Sequence, residues 1–225
     1  MKLKFIEEKA MKVVMLVTTL LVFLFVGSIL YTIVKNGWGA MNWEMISSLP
    51  GGGFYIGKEG GLLNAIVGSL YIVGASTVLG LAVSIPVVFY LNVYLKKNSK
   101  RGSFARLAYD VLFGIPSIVY GAFAFTIMIY LGLKTSLAGG IIVITLLIIP
   151  MDEIARELPQ DMLNASYSLG ATRYETIKVV VRQIAPGIAT ATLLSIGRAI
   201  GDAAAVLFTA GYTDNIPTSL GQPAA

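Results

Sequence analysis

Two charged residues stand four positions apart in an otherwise uncharged stretch near the end of the chain. Arg198 and Asp202 are the only charged residues between Arg182 and Asp214. An arginine in an apolar span raises the free energy of insertion by roughly 2.5–3.5 kcal/mol, so it usually serves a function. Because positions i and i+4 share a helical face, the pair could be a mutually neutralised structural pair. It could also bind or admit an anion.

The residue types that enzymes use most for catalysis are scarce in this chain. Histidine and cysteine are both absent, which removes the usual general base and the thiolate nucleophile. The sequence shows no nucleophile–base set and no G-x-x-x-x-G-K-[ST] motif for ATP. We therefore expect no enzymatic activity, and no cofactor or metal site.

The elements that position these residues are predicted to be membrane helices. The 225 residues are 56% hydrophobic and 13% charged, with a mean hydropathy of +0.78, whereas a soluble domain carries about 25% charged residues. The net charge of +5 could suggest nucleic acid, but the basic residues flank apolar segments instead of forming a patch. We predict an all-α integral membrane protein that contacts lipid and binds no nucleic acid.

Uncharged runs predict five spans, because one crossing needs roughly 20 apolar residues. The second run is too long for a straight crossing, so we expect Pro86 to kink it. We expect an irregular external loop from Asn36 to Gly60, domains at 1–60 and 61–225, and a sixth span after Ala225. The predicted spans cover residues 12–34, 64–95, 105–131, 136–151 and 186–211.

The basic residues predict the orientation of these spans. Of seventeen lysines and arginines, four lie in residues 2–12, five in 96–106 and four in 156–182. With the N-terminus inside the cell, all thirteen fall on the cytoplasmic side, where basic residues concentrate. We therefore predict a cytoplasmic N-terminus.

The polar loop 152–183 is predicted to fold as a helix–turn–helix at the cytoplasmic surface. Asp161 favours a helix start, and Gly170 favours a helix end. Thr172 and Glu175 have the spacing of a capping box for the second helix. From the residues alone the loop could be a simple amphipathic connector. The first helix is expected to present one apolar, small-residue face of Leu163, Ala165, Ser166 and Leu169.

This loop resembles the coupling loop of permeases from binding-protein-dependent ABC importers. That family carries a Glu-Ala-Ala triplet, a glycine, and later an apolar residue and a proline. Here Asn164, Ser166 and Gln183 replace the glutamate, the second alanine and the proline, while the Leu-Gly-Ala-Thr core and its spacing are kept. The resemblance implies docking on a separate ABC ATPase dimer through Asn164, Ala165, Ser166, Leu169, Gly170, Ala171 and Thr172.

Two further stretches resemble the phosphate-specific, PstA-type permeases. Residues 114–121 read Gly-Ile-Pro-Ser-Ile-Val-Tyr-Gly, and residues 197–210 contain Arg198, Asp202 and Phe-Thr-Ala. Asp202 stands where the family has glutamate, and Ala203 where it has threonine. The resemblance implies a type I ABC importer permease-like bundle in the prokaryotic inner membrane, with phosphate passing Arg198 and Asp202. It also implies a second, PstC-type permease and an extracytoplasmic phosphate-binding protein as partners.

Other functions remain open. An ABC permease for sulfate, molybdate or tungstate is opposed only by the resemblance of these two stretches. A secondary anion carrier would need no ATPase, but it would typically show inverted repeats and would not need a protruding Leu-Gly-Ala-Thr loop.

Overall fold

The computed structural model describes residues 2–39, 41–51, 60–95, 99–149, 154, 158 and 160–224. Helices make up the regular structure of these ranges, which confirms the all-α prediction. The chain divides into two compact units, Met1–Ser47 and Ser48–Ala225, and the domain boundary at residue 60 stays a prediction. The helices are α1 Lys2–Gly37, α2 Trp43–Ser47, α3 Leu63–Phe89, α4 Lys100–Gly114, α5 Ser117–Tyr130, α6 Leu137–Ile148, α7 Gln160–Ser168, α8 Arg173–Gly201 and α9 Ala203–Thr209, with a π-helix at Tyr90–Tyr94.

The first unit consists of α1 and α2. The segment Glu7–Gly37 of α1 is 31 residues long and apolar enough to cross a membrane, as predicted for residues 12–34. Leucine, valine and phenylalanine side chains are exposed all round it, and such a helix needs lipid or protein around it. The short helix α2 corrects the prediction of an irregular segment from Asn36 to Gly60 at residues 43–47. Residues 40 and 52–59 of that segment lie outside the described residues.

Helix α3 and the π-helix together form the predicted second span. They cover Leu63–Tyr94, which is 32 residues. Pro86 lies inside α3, and the α-helix continues past it to Phe89 before the π-helix begins. The helix type therefore changes just after the proline, and the predicted kink at Pro86 stays a prediction.

A row of buried residues at four-residue spacing runs along α3. Most of them are small, and small residues let membrane helices approach closely. The Oγ atom of Ser76 lies 2.6 Å from the carbonyl oxygen of Ile72 and 3.2 Å from that of Ile141 on α6. The row consists of Asn64, Gly68, Ile72, Ser76, Gly80, Ser84 and Val88.

The predicted span over residues 105–131 is not one straight helix, because two helices meet there at a sharp bend. The segments Lys100–Leu112 and Ser117–Tyr130 are bent by 99°. In a continuous helix the carbonyl of Leu112 would accept the N–H of residue 116, but Pro116 has none. The hydroxyl of Tyr120 donates to that carbonyl instead, at 2.8 Å. Tyr120 therefore supplies the hydrogen bond that the proline removes.

The last two predicted spans also differ from the structure. Helix α6 has 12 residues, and residues 150–151 of the predicted span 136–151 lie outside the described residues. Helix α8 starts at Arg173, inside the loop predicted at 152–183, and ends at Gly201. The predicted span 186–211 is not a single helix, because Asp202 has a non-helical backbone and separates α8 from α9.

The segment after α9 folds back onto the start of α6. The backbone N–H of Ser136 donates to Thr209 at 2.9 Å, and that of Leu137 donates to Gln222 at 2.7 Å. Gly211 makes this return possible, since its φ of 72° favours glycine. The first N–H groups of α6 thus have protein partners.

Helices α5 and α9 pack in direct backbone contact. A Cβ atom on Gly121 would lie 2.9 Å from the Cα of Ala205 and 3.2 Å from the carbonyl oxygen of Ala204. By contrast, a Cβ atom on Gly74 in α3 would meet no atom within 4 Å. This contact joins the two sequence stretches that resemble phosphate permeases.

We predict opposite effects for alanine at these two glycines. Gly74→Ala should stabilise the fold by up to about 1 kcal/mol through helix propensity. Gly121→Ala should destabilise it by about 1–3 kcal/mol, because the backbone of α9 must move. Thermal unfolding in detergent, followed by helical circular dichroism, measures both. Equal shifts for the two variants would contradict the close packing of α5 on α9.

Candidate functional site

The two stretches that resemble phosphate-specific permeases, residues 114–121 and 197–210, line one open depression in the second unit. It has a volume of about 510 Å³ and lies where the start of α5, the end of α8 and the start of α9 meet. Its lining residues are Ser117, Arg198, Gly201, Asp202, Ala203 and Ala204. The predicted site residues Arg198 and Asp202 are thus brought together, and Ser117 joins them from a distant part of the chain.

Arg198 lies near the C-terminal end of α8. It is in the last turn of the helix and is partly buried. A cation is favourable there because the C-terminal end of a helix carries partial negative charge. Its guanidinium group also interacts electrostatically with Tyr120 of α5. Arg198 therefore brings positive charge to the depression from a position that the helix stabilises.

Asp202 does not share a helical face with Arg198, as the i+4 spacing had predicted. It has left the helix, and its Oδ1 atom accepts a hydrogen bond from the N–H of Ala205 at 3.1 Å. This interaction caps α9 at its N-terminus, a position that aspartate favours. The carboxylate thus fixes the direction in which α9 starts while it lies on the wall of the depression.

The start of α5 adds a second electrostatic feature. Ser117 is the first residue of this 14-residue helix, and helix N-termini present free N–H groups and partial positive charge. Together, Arg198 and this N-terminus favour an anion in the depression, while Asp202 opposes a permanent one. The arrangement suits a weak site better than a tight one.

The predicted helix–turn–helix of the loop is confirmed by α7, the turn after it and the start of α8. The N–H of Gly170 donates to Tyr167 at 3.0 Å and the N–H of Ala171 donates to Ser166 at 3.1 Å. This pair of bonds is the Schellman motif, which requires a left-handed residue, and the φ of Gly170 is 78°. Gly170 thereby sets the angle between α7 and α8. Residues 152–153, 155–157 and 159 of the predicted loop lie outside the described residues.

The predicted capping box is also confirmed. Glu175 accepts from the N–H of Thr172 at 2.8 Å, and the N–H of Glu175 donates to the hydroxyl of Thr172 at 3.4 Å. Hydrogen bonds from Thr172 hold the pKa of the Glu175 carboxyl below its ordinary value. The contribution of this carboxylate to the cap is therefore lost only as pH falls through that lowered pKa.

The expected single apolar face of α7 is wrong, because its two leucines point to opposite environments. Leu163 is 2% exposed and packs in a cluster with Val180 of α8 and Val88 of α3. Leu169 is 89% exposed in the turn. One leucine therefore anchors the element to the helices, and the other is available to a partner. Asn164, Ala165 and Thr172 are also exposed, and Ser166 and Ala171 are partly exposed.

A contact that sequence reasoning missed ties this element to α3. The Nη1 atom of Arg173 donates to the carbonyl of Tyr94 at 3.1 Å, and its guanidinium group lies 5.4 Å from the centre of the Tyr94 ring. Arginine stacks on aromatic rings in this way. The two residues are 79 positions apart, so no local pattern could have indicated the contact.

Comparison with known proteins identifies the family. Residues 78–224, more than half of the chain, match the family of binding-protein-dependent transport system inner membrane components. The chain belongs to this family. It is accordingly a multi-pass transport component of a bacterial inner membrane and not an enzyme. The matched range contains α7, the depression around Arg198 and both stretches that resemble phosphate-specific permeases.

Curated relatives of this family member carry the name phosphate transport system permease protein PstA. The protein from Pasteurella multocida is 34% identical over 189 residues, which cover 81% of this chain and 66% of the relative. The protein from Haemophilus influenzae is 29% identical over 204 residues, which cover 88% and 71%. PstA 1 from Mycobacterium tuberculosis is 34% identical over 164 residues, which cover 70% and 53%. The chain thus spans about half to seven-tenths of the length of these relatives.

Proposed function

We propose that this chain is the transmembrane permease subunit of an ATP-driven importer for inorganic phosphate. The observation that carries the proposal is the depression in which Arg198 meets the start of α5. Both stretches that line it resemble phosphate-specific permeases, and the curated relatives bear the name of phosphate transport permeases. Sulfate, molybdate and tungstate are the competing substrates that an experiment must separate from phosphate.

The depression fits a transient anion site on the transport path. Arg198 and the N-terminus of α5 attract a singly or doubly charged phosphate. Asp202 opposes part of that attraction, and a transport site must bind weakly enough to release its cargo. Arg198 is the residue that serves the anion in this proposal, and Asp202 positions α9 and limits the affinity.

An ATP-driven importer also needs partner subunits. The chain has no ATP-binding motif, so the ATPase must be a separate subunit pair. We assign its docking surface to Leu169, exposed in the turn fixed by Gly170, with the exposed side of α7 beside it. Leu163 and Arg173 hold this element against α8 and α3, so motion of the ATPase can reach the membrane helices. A PstC-type permease and an extracytoplasmic phosphate-binding protein complete the proposed assembly.

In the orientation predicted from the basic residues, this docking surface faces the cytoplasm. ATP is a cytoplasmic substrate, and the loop that carries α7 is also one of the three basic regions of the chain. The N-terminus is cytoplasmic under the same assignment. Arg198 lies 25 residues along α8 from Arg173, or about 37 Å at 1.5 Å per residue. The anion site is thus near the outer end of the helix.

We predict that Arg198→Gln lowers ATP-dependent phosphate uptake at least tenfold and that Asp202→Asn does not rescue it. Asparagine keeps the capping oxygen for α9 but removes the charge. The double variant therefore leaves no uncompensated, partly buried carboxylate, which separates anion binding from charge balance. The assay is uptake of labelled phosphate into vesicles that contain the full assembly, with sulfate, molybdate and tungstate as competitors.

Three results decide this prediction. Normal uptake by the double variant would mean that Arg198 only balances Asp202. Asp202→Ala serves as the matched control, since it removes both the charge and the cap and should lower thermal stability. Competition by sulfate as strong as that by unlabelled phosphate would contradict the proposed substrate.

We predict that Gly170→Val abolishes uptake and ATPase binding while Gly170→Asn keeps much of both. Valine is strained at a φ of 78°, whereas asparagine tolerates the left-handed region. Co-purification of the ATPase with tagged permease measures docking, and membrane insertion is the control. Full uptake by the valine variant would contradict a coupling role for this turn.

We predict that a cysteine at Ser103 is protected from an impermeant thiol reagent in intact cells and that one at Lys134 reacts. The chain has no cysteine of its own, so each label is unique. Both positions are exposed. Reaction at Ser103 but not at Lys134 would reverse the proposed orientation.

A further inference from the structure

One side chain in the lining of the depression carries the same sign of charge as the proposed cargo. Asp202 is partly buried on its wall, and a carboxylate repels an anion that comes near it. The cap of α9 does not require this charge, because asparagine or serine caps a helix as well as aspartate does. An aspartate beside an anion path therefore needs an explanation beyond the cap.

The cap leaves one oxygen of this carboxylate available. Within the described part of the chain, Asp202 accepts a hydrogen bond only at Oδ1, from the N–H of Ala205. Oδ2 can accept another, since an ionised carboxylate accepts hydrogen bonds at both oxygens. A molecule in the depression that carries a proton can therefore find an acceptor there.

Asp202 is also the one described side chain in this lining that can only accept hydrogen bonds. Arg198 donates and cannot accept, and the hydroxyl group of Ser117 can do either. The other described lining residues are glycine and alanine. Arg198 and Ser117 can therefore bind any oxyanion, and Asp202 is the side chain that can distinguish one from another.

The candidate substrates differ in whether they carry a proton. Phosphate keeps at least one P–OH group at neutral pH, whereas sulfate, molybdate and tungstate are fully ionised. A P–OH group can donate a charge-assisted hydrogen bond to Oδ2, but a fully ionised anion can only be repelled by it. A site that hydrogen-bonds a substrate hydroxyl discriminates strongly against the analogue that lacks it.

We infer that Asp202 is the specificity-determining residue of the depression. Its Oδ2 atom accepts a hydrogen bond from the P–OH group of phosphate and repels oxyanions that have no proton. Arg198 supplies the attraction and Asp202 the selection, so the site can bind weakly and still discriminate. This inference rests on the proposed function, because it takes phosphate as the cargo.

Thermal unfolding of the purified full chain in detergent tests the inference, because an anion that binds the folded state raises the unfolding temperature. Phosphate and sulfate are titrated separately at constant ionic strength, at a mildly alkaline pH where most phosphate is doubly charged. The two anions then share charge and shape and differ by one proton. The measurement needs neither the ATPase nor the phosphate-binding protein, so their selectivity does not enter.

Both anions also stabilise folded proteins by exclusion from the surface, and Arg198→Gln corrects for this effect. The specific response is the part of the temperature shift that this variant lacks. For the natural chain we expect half-saturation by phosphate at a concentration about tenfold below that of sulfate, the effect of one hydrogen bond to a charged group.

Asp202→Asn should bring the two half-saturating concentrations within about twofold, mainly through tighter sulfate binding. The asparagine amide keeps the capping oxygen and places a donor where the second oxygen was. Asp202→Glu keeps an acceptor and should retain the preference for phosphate. Asp214→Asn is the matched control and should change neither response, because Asp214 is not among the described lining residues.

Two results would overturn the inference, and they differ in what they leave standing. A phosphate preference that persists in Asp202→Asn would leave Asp202 as a cap alone, while the proposed phosphate transport stands. Equal shifts in the natural chain and Arg198→Gln would mean that the depression binds neither anion. Uptake of labelled phosphate by the natural assembly would then decide separately whether the chain is a phosphate permease.

Discussion

Backbone polar groups have no water to bind in the hydrocarbon layer, and this constraint governs where the chain can leave the helix. Each unpaired N–H or C=O group there costs several kcal/mol. The chain leaves the helix at Pro116, and Tyr120 replaces the missing donor. It leaves again at Asp202, whose side chain caps the next helix. The carbonyl groups of Thr209 and Ala210, at the end of α9, accept the N–H groups of Ser136, just before α6, and of Ala224, at the far end of the returning segment. The irregular points are thus sites of specific hydrogen bonding.

The two helix breaks, at Pro116 and at Asp202, also create the depression. If α4 and α5 formed one straight helix, no helix start would lie beside Arg198. If α8 continued straight through residue 202, Asp202 would be a helical residue and could not cap α9. Each break instead turns a helix end toward the same space, and the contact of Gly121 with Ala205 holds the ends together. The electrostatic character of the site therefore comes from backbone geometry as much as from the arginine.

Local signals in the sequence predicted local structure well. Asp161, Gly170 and the Thr172–Glu175 pair act within a few residues of one another, so their patterns were sufficient for α7 and the start of α8. The same signals were ambiguous at Asp202, because an aspartate before three alanines can cap a new helix or pair with Arg198 in a continuing one. Nothing local indicated that Ser117 would meet Arg198, or Arg173 would meet Tyr94. Those contacts depend on how separate helices pack, and a count of apolar residues cannot distinguish a bent helix from a straight one.

The four-residue spacing of the buried row on α3 has a geometric consequence. Four residues turn an α-helix by about 400°, so each step of the row advances about 40° beyond a full turn. From Asn64 to Val88 the row therefore winds about two-thirds of the way round the helix. Ile72, in its first half, packs with α6 residues, and Val88, at its end, packs with α8 residues. A straight stripe would serve one neighbour, whereas this spiral lets a single helix act as the shared axis of two.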